Sequence, residues 1–159
     1  MNSSCLRSLL VAVVATVGCA PMAGTTPASG AAMPSSIIDP YLEIESALAE
    51  DRTDGIKASA GTIATAATAL GAPAMKIDTA ALALSAAAEA ADPDIKSVRE
   101  KFGALSDALD TYMKGLKLTP PEGVRVAYCP MAQKPWMQKG DTLANPYYGR
   151  EMPTCGSFR

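Results

Sequence analysis

From Ile37 to about Lys117 the apolar residues fall at the period of a helix. Ile37, Tyr41, Ile44 and Leu48 share one face, and Ile56, Ala60, Ile63, Ala67 and Leu70 share another. The pattern predicts a first helix opening at Asp39-Pro40, an N-cap followed by proline at the first helical position. A second helix is predicted after Asp51 or Thr53, ended by Gly71 and Pro73. Thr79–Ala91 is so rich in alanine that a third helix follows from propensity alone, opening at Asp78 or Thr79. The fourth is the strongest: Ile95, Val98, Phe102, Leu105, Leu109, Tyr112 and Leu116 form an unbroken apolar seam. Asp92 and Asp94 stand at its start, Lys114 and Lys117 at its end, as the helix dipole favours, and Pro120-Pro121 forbids its continuation. Short links between such helices predict a mainly α domain, an antiparallel up-down bundle of about four helices over residues 37–118.

Residues 119–159 read differently. Val124–Tyr128 alternates and suits a short strand, while Lys139-Gly-Asp and Asn145-Pro-Tyr-Tyr-Gly are turn chemistry. A small strand-and-loop segment packed on the bundle is expected.

The N-terminus changes the picture again. Arg7 followed by the apolar run Leu9–Val17 reads as an export signal over residues 1–18, too short to span a bilayer. Gly18-Cys19 resembles a lipoprotein box, which makes Cys19 the expected lipid attachment point on the periplasmic face of a bacterial membrane. Ordinary cleavage nearby, leaving a soluble periplasmic protein, is the alternative. Residues 19–36, all small residues, Pro, Gly and Met, are expected to be a flexible tether, with Met22 and Met33 as its filler.

Composition then removes function classes. The formal charge is −2 without a basic run, so a nucleic-acid partner is not expected. There is no histidine base, no Cys-x-x-Cys motif and no Gly-rich phosphate loop. The scattered carboxylates show no catalytic spacing, and no enzymatic activity is expected.

What remains is sulfur. Cys129-x-Met131 and Met152-x-x-Cys155 place two soft donors at each of two chelating spacings in a histidine-free chain. Thiolate and thioether together select Cu(I) or Ag(I), whereas Zn(II) favours Cys and His. A metal site of Cys129, Met131, Met152 and Cys155 is one expectation. Trp136 either shields that ion through a cation–π contact or seals the segment onto the helices, and Met137 is either a further ligand or core. The rival is a Cys129–Cys155 disulfide in an oxidising compartment, which would close a loop of about 25 residues and contribute about 3 kcal/mol. That would make the chain a disulfide-stapled interaction domain of the cell envelope.

The blocks Pro40–Asp51, Phe102–Leu109, Tyr128-Cys-Pro-Met-Ala132, Trp136, Asn145-Pro-Tyr-Tyr-Gly149 and Met152-Pro-Thr-Cys-Gly156 together resemble one family. It is a bacterial periplasmic domain of unknown function, found alone or fused to HlyD-type adaptor subunits of copper/silver efflux pumps. The Cys-Pro-Met block and the Asn145–Gly156 block are the specific ones; the helical blocks alone are not. Members of that family often carry a longer loop between Cys-Pro-Met and the Trp than Ala132–Trp136 here. The resemblance implies a role near copper or silver handling, with an efflux adaptor or a periplasmic metal carrier as partner.

Overall fold

The computed structural model describes residue 28 and residues 30–159. The export signal, most of the tether, and Cys19 lie outside the described residues. The described residues are mostly helical, with four α-helices and a small three-stranded antiparallel sheet: α1 (Ser35–Ala49), α2 (Ile56–Leu70), α3 (Met75–Ala87), α4 (Ile95–Leu116), β1 (Val124–Cys129), β2 (Lys134–Lys139) and β3 (Ser157–Phe158).

The seam expected on α4 is its buried face: Val98, Phe102, Leu105 and Leu109 are fully enclosed. Asp94 is its N-cap, accepting from the N–H groups of Lys96 and Ser97 at 3.2 Å each, and Lys117 ends it in a left-handed conformation. The other helices begin elsewhere than their caps suggest. α1 starts at Ser35, so Pro40 sits inside it rather than at its first position and removes one internal N–H. α2 starts after Gly55, a left-handed residue, and not directly behind Asp51 or Thr53. α3 starts at Met75, three residues before Asp78, because the Ala72–Ala74 3-10 turn after Gly71 feeds straight into it.

The folded region also begins before Ile37. Met33 is buried, and its N–H donates to the Thr119 carbonyl at 2.9 Å, while Thr119 N–H returns to Ala31 at 3.1 Å. Met33 is therefore part of the core and not tether filler. A large apolar side chain at the mouth of the helices is buried whatever the composition around it.

Helices adjacent in sequence pack on one another, α1 on α2, α2 on α3 and α3 on α4, and β2 lies on both α1 and α4. The sheet order is β2-β1-β3, so β2 is an edge strand and tolerates Pro135, opposite Tyr128. A buried polar tie joins three elements. Tyr41 of α1 and Ser106 of α4 share a hydrogen bond of 2.8 Å, and the Met137 N–H of β2 donates to Tyr41 Oη at 3.2 Å. Tyr41 also stacks on Phe102, their ring centres 5.1 Å apart.

Candidate functional site

The hairpin from β1 to β2 places the first cysteine. Cys129 pairs with Lys134, so only Pro130–Gln133 turn the chain, and Gln133 takes φ +55° to close it. Within this tight turn the Ala132 N–H donates to Cys129 Sγ at 3.4 Å. The bond holds the sulfur against the turn. Cys129 is fully buried; Met131, two residues on, is 63% exposed.

The second cysteine arrives from the other edge of the sheet. β3 pairs Phe158 with Ala127 and Ser157 with Tyr128, which brings Cys155 to the Cys129 end of β1. Both cysteines are free thiols, Cys129 buried and Cys155 half-buried. The Cys155 thiol is pushed up by desolvation first, then by its hydrogen bond to Cys129 and by the charge a thiolate there would carry. The register of β3 on β1 thus carries the Cys155 thiol to the end of the strand where Cys129 stands. Met152 is half-buried at the head of the same turn, and its carbonyl accepts from the Cys155 N–H at 3.2 Å.

Trp136 and Met137 are both buried. Trp136 Nε1 donates to Gln138 Oε1 at 3.0 Å, and its ring meets Tyr147 edge-on with centres 6.1 Å apart. The indole edge also runs against Gly156: a Cβ there would lie 2.7 Å from Trp136 Cη2 and 2.8 Å from the Tyr128 carbonyl. Trp136 thus seals the segment and at the same time packs beside the residue following Cys155. Met137 is core.

Asn145 organises the loop that carries Cys155, a role its turn chemistry only partly foretells. It is fully buried. Its side-chain amide donates to the Cys155 carbonyl at 2.6 Å, while Oδ1 accepts from Tyr147 N–H at 2.8 Å and Tyr148 N–H at 3.3 Å. Its own N–H donates to Pro153 O at 2.8 Å. The Tyr147 hydroxyl donates in turn to the Pro135 carbonyl of β2. A second clamp holds the loop to the helices. Arg99 Nε donates to Pro146 O at 3.0 Å, its Nη2 to Leu48 O at 2.9 Å, and it pairs with Asp51 at 2.5 Å. Asp51, its carboxyl lowered by that hydrogen bond first, also accepts from the Arg150 N–H at 3.4 Å.

A cleft of about 630 Å³ opens between α4 and this segment, with Arg99, Gly103, Ala132, Lys134, Tyr147 and Tyr148 in its walls. Ala132 is the residue bonded to Cys129, so the cleft reaches the turn beside the thiol pair. Among the described residues no group of three or more His, Cys, Asp or Glu gathers in a way that could hold a metal. Only the thioethers are placed in sequence to add donors to the two thiols. A buried acid away from this site was not signalled by the sequence. Glu45 on α1 is only 5% exposed, its Oε1 has no hydrogen-bond partner, and burial pushes its carboxyl up to about 8.

Compared with protein-family models, curated proteins and solved structures, the chain finds no match.

Proposed function

We propose that this chain is a lipid-anchored, periplasmic soft-metal binding domain that holds one Cu(I) or Ag(I) between Cys129 and Cys155. The observation that carries this reading is the pairing of β3 on β1, Ser157 opposite Tyr128, which brings Cys155 to the end of β1 that holds Cys129. The Ala132 N–H aimed at Cys129 Sγ supports it, because it fixes the sulfur within the tight turn. So do the absence of histidine from the chain and the resemblance to a domain linked with copper and silver efflux. Met152, beside Cys155 in one turn, is the nearer thioether in sequence; Met131 joins only when its exposed side chain swings inward. An efflux adaptor or a periplasmic carrier would exchange the ion, approaching along the cleft at Ala132. No catalysis is proposed. The helices are proposed to run as an antiparallel up-down four-helix bundle, with β2 closing the side between α1 and α4.

The chemistry is proton displacement. The raised Cys155 thiol holds its proton at neutral pH, so an incoming ion releases it and affinity climbs with pH. The same strand pairing favours a second reading, a Cys129–Cys155 disulfide in an interaction domain. Titrating reduced full-length protein with Cu(I) against a chromophoric chelator separates the two. Stoichiometric binding lost in Cys129→Ser and in Cys155→Ser, and only weakened in Met152→Ala, is expected. Equal binding by wild type and the double serine variant overturns the metal reading and leaves the disulfide.

A further inference from the structure

The end of the fold where the chain enters carries a concentration of positive charge that the thiol site does not use. A groove of about 530 Å³ lies between the C-terminal end of α4 and the start of β1. Lys114, Lys117, Arg125 and Arg159 line it, against one acid, Asp110. Asp110 pairs with Lys114 at 2.6 Å and Asp141 pairs with Arg125 at 3.0 Å. Glu122 stands exposed on the turn before β1. Lys117 and Arg159 make no ion pair among the described residues; the Arg159 guanidinium lies over the Tyr128 ring, 3.9 Å from its centre. Against Asp110, Asp141 and Glu122 the four cations leave a small positive excess, carried by Lys117 and Arg159, in a chain whose net charge is −2.

Position gives this charge its meaning. Leu118 and Pro120 form part of the groove wall, and between them Thr119 bonds to Ala31 and Met33, where the N-terminal chain joins the fold. From Cys19 to Ala31 the chain can reach about 40 Å at full extension. A lipid at Cys19 therefore tethers the fold by the end that carries the basic groove. β1 runs from this groove to Cys129, about 17 Å along the strand.

We propose that the groove is a docking surface for anionic phospholipid headgroups, which seats the α4 C-terminal end on the membrane and turns Cys129 and Cys155 away from it. This rests on the lipid-anchored reading. Each lysine or arginine near an anionic surface strengthens partition by about fivefold, and salt screens the effect within about 10 Å.

The probe is vesicle flotation of the full chain carrying Cys19→Ser, with phosphatidylcholine alone or with phosphatidylglycerol added. The anionic vesicles should bind at least about tenfold more protein, and added salt should release it. Lys114→Glu with Lys117→Glu should remove that preference. Lys96→Glu with Lys101→Glu, the same charge change on the other half of α4, should keep it. Should the double glutamate variant fail to fold by circular dichroism, Lys114→Gln with Lys117→Gln must still lose most of the preference. Equal binding to both vesicles, an equal loss in the Lys96/Lys101 variant, or binding to soluble polyglutamate without vesicle binding each overturns the proposal. Palmitate labelling of wild type beside Cys19→Ser tests the anchor separately. Labelled protein without a vesicle preference sinks the groove alone, and unlabelled protein with one sinks the anchor alone.

Discussion

Replacing Glu45 by Gln should stabilise this protein at neutral pH and leave it unchanged in acid. Glu45 lies on the buried side of α1, its Oε1 unpartnered, beside a cavity of about 400 Å³ shared with Glu50, Gln138 and Lys139. Glu50 is engaged by Arg52 at 2.8 Å, and Gln138 spends its amide oxygen on Trp136 and Ala144. Lys139 makes no ion pair with Glu45, desolvation alone sets its titration, and burial raises it from 4.5 to about 8. The folded state holds this proton where the unfolded chain has released it. Its contribution is thus full below the unfolded value, is lost as pH rises through the window from 4.5 to about 8, and is flat above it. Each pH unit inside the window removes about 1.4 kcal/mol, so the loss at pH 7 reaches about 3 kcal/mol. That corresponds to about 8–15 °C in melting temperature for a domain of this size. The amide has no such titration. Calorimetric melts of wild type and Glu45→Gln should separate by that amount at pH 7.5 and converge near pH 4. Any packing cost of the amide appears equally at both ends, so the difference between them isolates the ionisation. Parallel curves across the whole range would refute the reasoning and place Glu45 in water.

Two further perturbations probe the frame around the site. Gly149 takes φ +54°, where a side chain is strained, and a Cβ there would collide with Asp51 Oδ1 and Arg99 Nη2; Gly149→Ala should cost about 2–4 kcal/mol in denaturant unfolding, and the same cost in an Arg99→Ala background would mean that the clamp is idle. Leu109→Ala, at a fully enclosed position of the α4 seam, should cost about 2–5 kcal/mol, and a shift under about half a kcal/mol would mean the seam is not core.

The helices were legible where the pattern had one clean period. The seam of α4 stands as read, and of the two acids placed at its start Asp94 is the cap, because an amphipathic face and an acidic helix start are both local signals. Helix starts were not, since α1 opens at Ser35 without a side-chain cap and α2 opens from a left-handed Gly55. Strand β1 alternates and was expected. Strand β2 was hidden because Pro135, Trp136, Met137 and Gln138 are all buried, packed against α1, α4 and Tyr147, so no period of two survives. At the site, the cysteine spacing suggests that Cys129 and Cys155 act together, and β3, pairing Ser157 with Tyr128, brings the Cys155 segment to the Cys129 end of β1. Met131 was chosen by spacing alone, and spacing does not decide which side of a four-residue turn faces water. The grip of Asn145 on Cys155, like the isolation of Glu45, depends on contacts between residues distant in sequence, and no local pattern announces either.

The paired-thiol account is tested most directly by X-ray absorption at the copper edge of reduced full-length protein loaded with one equivalent of Cu(I). The account predicts a first shell made only of sulfur, two or three neighbours, abolished in Cys129→Ser with Cys155→Ser and reduced by no more than one neighbour in Met152→Ala. A nitrogen or oxygen shell in the wild type, or a spectrum unchanged in the double serine variant, would contradict it.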